Sequence, residues 1–430
     1  TAIFLMLSAP ILGHPLTLSE CFSLALTYNP KQTAACYKVK AAQEEALVKQ
    51  APYYPEIYAS AHGFKWQTHN FLQFPLPPPF PPLDILPSII GPTEDYGYLL
   101  SGRYTLFDFG EAKERYLAAR ASLGVAAFEH ERIKEEILLN VAVLFFQLAS
   151  HQELVRVAKE NLLRTEQHLT LVQEKRLVGS APLSDIFRSK VDVSEAKLTL
   201  VRAESQVIIS HAKLREALGL DYEYPIEIDA DQTSYEKPEI GIISKARCMA
   251  FQYRPELKAS SKLVASLYHK MESIKSANWP KVSALGAWGR RDSDFLPQDE
   301  EWIFGIRMEM PLFTGFRLCH EEGKARSEMN EAKADHLKWQ LTIEQEIVTA
   351  FARLNEAYEL ISTTQSQMDD AKESLRLTVE RYKAGVSILT DLLDSQTALL
   401  RAEATHVNAE WNFEIAKAYF LWAQGILSTY

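Results

Sequence analysis

The sequence lacks the motifs on which most enzymes, metalloproteins and nucleic-acid-binding proteins depend. It contains no HExxH zinc motif and no GxSxG nucleophile elbow, and the segment 97–103, GYLLSGR, lacks the lysine–hydroxyl pair that ends a phosphate-binding loop. The formal net charge is −10, which excludes a basic nucleic-acid-binding protein. We therefore expect no catalytic residues, no cofactor, no metal site and no nucleic-acid partner.

Cysteine is scarce, with 4 residues in 430. Cys21, Cys36, Cys248 and Cys319 form no CxxC pair and no zinc-ligand spacing. In an exported chain they could pair as disulfides, but we favour the interpretation that they are buried free thiols. The acidic Glu20 directly before Cys21 argues against lipid attachment there.

Long hydrophobic runs are also missing. No internal stretch reaches the roughly 18 to 20 apolar residues that a membrane-spanning helix needs, so any membrane crossing must use strands. The apolar run at 2–12, AIFLMLSAPIL, has the length of a signal-peptide core. We interpret residues 1–15 as the remnant of a secretory signal, and a short buried N-terminal segment is the alternative.

The sequence does contain a tandem duplication. Asn29-Pro30 aligns with Arg254-Pro255 at an offset of 225, and from Phe107 to Gly219 a constant offset of 206 aligns the first copy with the second. The predicted organisation is a first repeat over 16–220, a linker over 221–243 and a second repeat over 244–426.

The difference of 19 between the offsets places an insertion in the first copy, between Gln67 and Asp95. This segment holds eight of the 20 prolines. Proline is incompatible with a helix interior or a central strand, so we expect a surface loop. Tolerated decoration is the interpretation that we favour over a receptor or lid role.

Each copy reads as helix, strand, strand, long helix and shorter helix. We expect a first helix over 19–50, a long one over 111–177 and a shorter one over 183–217. The long segment has no proline. Its apolar residues recur at alternating steps of four and three, and this pattern skips only His151 and Thr165. This coiled-coil seam recurs in the second copy. The seam residues are Ile137, Val141, Leu144, Leu148, Val155, Ala158, Leu162, Leu169 and Val172, then Ile343, Ile347, Ala350, Leu354, Ala357, Ile361, Met368, Ala371 and Leu375.

Period-two segments lie between the helices. Over 96–106 aromatic and apolar residues alternate with Gly97, Ser101, Arg103 and Thr105, and 302–310 alternates likewise. Partner strands are expected near 56–66 and 282–291. Segments of about ten residues with one apolar, aromatic-rich face are typical of membrane barrel strands, although a soluble, half-buried hairpin has the same pattern. Four strands cannot close a transmembrane barrel, so an open pore needs at least three chains.

These features together resemble the TolC-like outer-membrane efflux protein family. The matching segments are LTLSECFSLALTYNP, APYYPEI, TLFDFG, RLVGSAPLSD and RYKAGVSILTDLLD, in order across 16–425. The resemblance implies a mainly α fold with membrane β-barrel strands, as a subunit of a homotrimer with a twelve-stranded barrel and a twelve-helix coiled-coil tunnel. It also implies a bacterial outer-membrane location with the tunnel in the periplasm, in contact with outer-membrane lipid.

The resemblance further implies a passive export channel in a tripartite efflux or type I secretion system. Its partners would be a periplasmic adaptor, or membrane fusion, protein and an inner-membrane pump or ABC exporter. The alternative from a different class is a structural coiled-coil scaffold of the envelope, in which the hairpins merely pack.

The resemblance also assigns site residues. The helix turns that would contact the adaptor are Val178, Gly179, Ser180 and Ala181 in the first copy, and Ala384, Gly385, Val386 and Ser387 in the second. The gate aspartates would be Asp391 and Asp394, with Tyr382 and Asp185 at positions of closing contacts; Ser387 replaces the family's arginine. Without the resemblance, the glycines would be ordinary helix caps and the aspartates ordinary helix-dipole partners.

Overall fold

The computed structural model describes residues 14–69, 89–230, 235, 237 and 242–427. Most of these residues are helical. Two strands interrupt the helices in each repeat, and the four strands together form one small sheet. The elements in chain order are α1 (Leu18–Tyr28), α2 (Pro30–Val48), β1 (Glu56–His69), β2 (Ile89–Phe107), α3 (Glu111–Leu177), α4 (Leu183–Leu218), α5 (Ile242–Tyr253), α6 (Pro255–Ser276), β3 (Lys281–Asp292), β4 (Glu300–Glu309), α7 (Arg317–Lys383) and α8 (Leu389–Gln424).

The long helices confirm the heptad analysis. α3 and α7 have 67 residues each, and α4 and α8 have 36 each. Every predicted seam position is buried or half-buried. The two skipped positions are satisfied polar sites: His151 Nδ1 lies 2.7 Å from Ser210 Oγ on α4, and the Thr165 hydroxyl donates to Leu162 O at 2.7 Å. The seam therefore tolerates polar side chains where each finds a partner.

The prediction of one continuous first helix over 19–50 was wrong. The chain leaves the helix at Asn29, whose ψ is 123°, and starts α2 at Pro30. The proline ring disfavours helical geometry at the preceding residue, which explains the break. The second repeat interrupts its helix in the same way, at Arg254 before Pro255.

Both breaks pack against the end of a shorter helix. Asn29 Nδ2 donates to Ala217 O at 2.7 Å, near the end of α4. The C-cap Gly219 approaches so closely that a Cβ there would lie 2.5 Å from Tyr28 O, which excludes any larger residue. In the second repeat, Arg254 lies 3.5 Å from Ala423 O near the end of α8. The duplication thus preserves a contact as well as a sequence pattern.

The Arg254 side chain is only 2% exposed and is held from several sides. Its Nε and Nη2 donate to the two carboxylate oxygens of Glu256 at 3.0 and 3.1 Å, and Nη2 also donates to Glu346 on α7 at 2.8 Å. The guanidinium carbon lies 4.4 Å from the centre of the Trp422 ring on α8. One side chain therefore ties the α5–α6 break to both helices of the second hairpin.

The strands form one antiparallel sheet in the order β1-β2-β3-β4. In its register, Leu100 lies opposite Trp288, which lies opposite Trp302. The two apolar strand faces predicted from the sequence are therefore one face of a single sheet. Within the described part of the chain, β1 and β4 each have a neighbour on one side only.

The predicted loop over Gln67 to Asp95 is too long. β1 continues to His69 and β2 starts at Ile89, whereas residues 70–88 lie outside the described residues. Pro92 is tolerated in β2 because it lies at a register irregularity and beyond Tyr96, where pairing with β3 starts. There its missing N–H costs no ladder hydrogen bond.

The four cysteines are free, but the expectation that all are buried was wrong. Cys21 is buried, Cys36 is half-buried, and Cys248 and Cys319 are exposed. The last two lie on outward faces of α5 and α7, where neighbouring helices of the same chain do not cover them. Burial raises the pKa of the Cys21 thiol to about 12, so it stays neutral as a small core residue.

Two compact units divide the chain without following the repeats. The first contains the described residues of Thr1–Val39, Val125–Ser260 and Asp335–Tyr430, and the second contains Lys40–Gly124 and Ser261–Ala334. Each unit therefore draws on both sequence repeats.

The segment predicted as a linker over 221–243 overlaps α5 by two residues. It also contacts the start of the first repeat, because Leu16 N donates to Glu227 O at 2.7 Å. None of the described helices has the length and apolar content needed to cross a bilayer.

We expect Arg254→Met to lower the free energy of unfolding by about 3 kcal/mol, because it leaves Glu256 buried without its charge partner. Thermal unfolding followed by far-UV circular dichroism measures the effect. The matched control is Arg247→Met on α5, the helix that ends just before Arg254; its exposed side chain pairs with Glu344 at 2.6 Å and should contribute little. Equal unfolding temperatures for the two variants would contradict the clamp role of Arg254.

Candidate functional site

The two helix turns identified from the sequence have the same geometry. Gly179 and Gly385 have φ of +78° and +77°, a conformation that side chains disfavour. Ser180 N donates to Lys175 O at 2.8 Å, and Val386 N donates to Arg381 O at 2.9 Å. This is the Schellman arrangement, which satisfies the last carbonyls of α3 and α7. The glycines are therefore helix caps whatever else the turns do.

The turns also expose apolar side chains. Val178 is 76% exposed and Val386 is 70% exposed. Leu177, Leu183 and Ile388 next to them are exposed as well, and sequence reasoning missed these three. The sequence signal that could have identified them is the presence of apolar residues on both sides of a capping glycine. A turn that only reverses the chain is usually polar.

The two candidate gate aspartates lie exposed on the first turns of α8. Asp391 accepts hydrogen bonds from Ser387 Oγ at 2.7 Å and from Ile388 N at 3.4 Å, and so caps the helix. Asp394 has no hydrogen-bond or ion-pair partner among the described residues. The capping explanation thus fits Asp391 and leaves Asp394 without a structural role.

Tyr382 is 5% exposed and packs in a small apolar cluster with Val172, Leu375 and Leu392. Burial raises the pKa of Tyr382, and the nearby carboxylate of Asp185 raises it further. The Lys175 ammonium lies 5.2 Å from the centre of the tyrosine ring. The structure therefore places the Asp185 carboxylate near the Tyr382 hydroxyl.

Ser387 occupies the position of the family's arginine and binds Asp391 directly. Arg188 and Arg381 make no ion pair within the described part of the chain. In a single chain Asp391 is therefore held by the Ser387 hydroxyl rather than by an arginine.

A polar seam joins α3 and α8 and was missed by the heptad analysis. Arg164 makes a bidentate ion pair with Glu403 at 2.9 and 2.5 Å, and Gln396 Oε1 accepts a hydrogen bond from His168 Nδ1 at 2.7 Å. Burial lowers the pKa of His168, and the positive charges of Arg164 and Lys383 lower it further. The skipped heptad position at Thr165 was its only sequence signal.

The second compact unit contains a concave cavity of about 850 Å³. Its charged lining comprises Glu45, Lys49, Glu111, Arg115, Lys270, Lys281, Glu309, Arg317 and Glu321. Glu111, 2% exposed, lies 2.5 Å from Lys281 Nζ and pairs with Arg115. A charged, open surface of this kind suits contact with hydrated solutes better than retention of one apolar ligand. Among the described residues, no group of histidine, cysteine and carboxylate side chains could hold a metal ion.

The fold is that of outer-membrane channels. The chain superposes on VceC from Vibrio cholerae with a TM-score of 0.80 at 18% identity, covering 95% of this chain and 96% of VceC. Curated relatives include the protein CyaE of Bordetella pertussis, 22% identical over 400 residues that cover 91% of this chain and 80% of CyaE. The pyoverdine export outer membrane protein OpmQ of Pseudomonas aeruginosa is 22% identical over 396 residues, covering 90% of this chain and 80% of OpmQ.

The model of the outer membrane efflux protein family matches residues 21–220 and 248–419, and the chain belongs to this family. This assignment confirms the resemblance and places the chain in the bacterial outer membrane as an efflux channel. Members of the family form trimers and act in efflux systems with adaptor and pump partners.

We expect the helical part of the protein to lose stability as the pH falls below about 6.5. A histidine whose folded pKa is lowered contributes its full stability above its unfolded pKa and loses it as the pH falls toward the folded pKa. His151, His168 and His211 all have lowered pKa values because of burial.

Thermal unfolding of the wild type and of His168→Gln at about pH 7.5 and about pH 5.5 tests this expectation. The variant cannot titrate at this position, so its difference between the two pH values should be smaller. The exposed His320→Gln on α7 is the control and should keep the full difference. An unchanged difference in His168→Gln would exclude His168 as a contributor.

Proposed function

We propose that three copies of this chain form a passive export duct from the periplasm to the exterior, gated by aspartates and catalysing no reaction. The observation that carries the proposal is a four-stranded sheet with two open edges and one apolar face, in a chain of the efflux protein family. Strand edges exposed to lipid are unfavourable because their backbone groups lack partners. Three copies supply twelve strands, enough for a closed barrel with an open interior.

Exposed apolar stripes on two helices support the trimer. On α4 the stripe comprises Phe187, Val191, Leu198, Val201 and Ile208, and on α7 it comprises Leu337, Leu341 and Val348. Side chains at these spacings share one helix face. A neighbouring copy that covered both stripes would bury them, and the eight helices α3, α4, α7 and α8 of two further copies would complete a twelve-helix tunnel.

We propose that Asp391 and Asp394 form the periplasmic gate. Their spacing of three residues places both on one face of α8, so three copies present six carboxylates to the passage. Such a ring attracts cations and repels anions. Asp394 supports the assignment most, because it has no hydrogen-bond or ion-pair partner among the residues that the structure describes. Tyr382, at the end of α7, and Asp185, in the first turn of α4, would hold the closed state.

Replacing both aspartates by alanine should lower the single-channel conductance for cations and reduce block by divalent cations added on the turn side, by about tenfold, because the cation-attracting ring is lost. Planar-bilayer recordings measure both quantities. Asp369→Ala with Asp370→Ala is the control, since these adjacent aspartates are exposed on α7 away from the turn. Unchanged conductance and unchanged cation block would remove Asp391 and Asp394 as the gate.

We propose that the turns at Val178-Gly179-Ser180 and Ala384-Gly385-Val386-Ser387 bind the periplasmic adaptor, which links the duct to an inner-membrane pump or ABC exporter. The two exposed valines support this assignment because an apolar tip on a soluble helix pair requires a partner. The capping hydrogen bonds fix their direction, so that each copy presents two equivalent contacts.

Val178→Asp with Val386→Asp should reduce adaptor cross-linking in whole cells by about tenfold or more, because an aspartate buried in an apolar contact lacks compensation. Cross-linked products identified by mass spectrometry provide the readout, with the amount of trimer in the outer membrane as the internal standard. Leu163→Asp, an exposed apolar position on α3, is the control. Equal adaptor cross-linking in all three proteins would exclude the turns as the contact.

A further inference from the structure

The sheet register aligns four polar or charged side chains on one face. His62 of β1 lies opposite Gly97 of β2, which lies opposite Arg291 of β3. Asp95 is two residues from Gly97 and therefore shares its face. On β4, Glu301 pairs with Gly289 and joins the same face. One residue from each strand thus contributes to a line that crosses the sheet, which we call the charged ladder: His62, Asp95, Arg291 and Glu301.

Direct contacts connect the members of the charged ladder. Arg291 Nε and Nη2 donate to the two carboxylate oxygens of Asp95 at 2.7 and 2.8 Å. His62 Nε2 lies 3.5 Å from Asp95 Oδ2 on the other side, and Arg291 Nη1 lies 3.8 Å from a Glu301 oxygen. The bidentate pair fixes the guanidinium in the plane of the carboxylate.

The glycine at position 97 leaves space for the His62 ring beside Asp95. Asp95 is 8% exposed, whereas most of the sheet is open to its surroundings in the single chain. The His62 ring covers Gly97, and a Cβ at this position would lie 2.7 Å from the ring. Any larger residue at Gly97 would displace the histidine from Asp95. The charged ladder therefore depends on an uncharged residue as well.

The charged ladder is separated from other charges on its face. Toward the helices, the next charges are Glu56 and Arg103, 3.5 Å apart, and Arg307 and Glu309 on β4. The positions between these two charged layers are uncharged, namely Tyr58, Ser60, Leu99, Ser101, Leu285, Ala287, Gly289, Ile303 and Gly305. The ladder is thus a single charged layer at the hairpin end of the sheet, away from the helices.

We infer that the charged ladder is an electrostatic filter at the hairpin end of the pore and that Arg291 sets its charge. The inference rests on the proposed duct, in which this polar face lines the interior and the opposite, apolar face contacts lipid. Among the ladder residues, the Asp95 and Glu301 carboxylates contribute two negative charges and the Arg291 guanidinium one positive charge, which gives each chain one excess negative charge. Three copies carry three. Arg291 thereby lets multivalent cations pass without strong retention.

Planar-bilayer recordings with hexaamminecobalt(III), added to one side at a time, test the inference. Arg291→Gln doubles the excess negative charge, so the half-blocking concentration from the hairpin side should fall by about threefold or more. Block from the turn side should stay unchanged. The matched control is Arg290→Gln, which removes the same charge from the adjacent position on the opposite face and should behave as the wild type.

Two further variants separate charge from structure. Asp95→Asn with Arg291→Gln removes one charge of each sign and should restore wild-type block. Glu301→Gln, at an exposed position, removes a negative charge and should raise the half-blocking concentration even if Arg291→Gln fails to assemble. Block of the double variant like that of Arg291→Gln, or equal effects of Arg290→Gln and Arg291→Gln, would overturn the inference.

The same recordings distinguish this inference from the proposed function. Conducting channels in which neither Arg291→Gln nor Glu301→Gln changes block from the hairpin side would overturn the filter and leave the export duct intact. Absence of any conductance from assembled wild-type protein would overturn the duct itself, and the filter with it.

Discussion

Unpaired backbone groups at two sheet edges are the constraint on which the rest of the structure depends. β1 and β4 each have one neighbour in the described chain. In hydrocarbon each unsatisfied N–H or C=O costs several kcal/mol, so a membrane sheet must close on itself. Closure with four strands per chain requires other copies. The proposed trimer, the division of the sheet into an apolar and a polar face, and the proposed position of the charged ladder in the pore are all consistent with this requirement.

The helices form the part of the protein outside the membrane, and the two repeats build it in the same way. Each repeat supplies a 67-residue helix and a 36-residue helix joined by a glycine-capped turn, so both hairpins have the same length and end alike. The equivalent breaks at Asn29 and Arg254 fix the remaining helices against the ends of α4 and α8. The repeats differ at this point: in the first, the neutral amide of Asn29 joins α4 to the start of α2, and in the second, a buried guanidinium joins three helices.

Local patterns predicted the regular elements and long-range contacts determined what was missed. The heptads predicted α3 and α7, and the alternation at 96–106 predicted the apolar face of the sheet, because both patterns depend only on residues close together in the sequence. The break at Asn29 was overlooked although Pro30 marked it. The extension of β2 through Pro92 depends on where β3 ends, and the exposure of Cys248 depends on which helices pack together. The ladder pair Asp95–Arg291 and the seam pair Arg164–Glu403 join residues 196 and 239 positions apart, which no local pattern encodes.

The central claim is that closure of the sheet sets the number of chains. Native mass spectrometry of the protein extracted from the outer membrane in mild detergent measures that number directly. The account predicts three chains per particle, with single chains appearing only when the trimer is denatured. A particle of one, two or four chains that still conducts ions would contradict it.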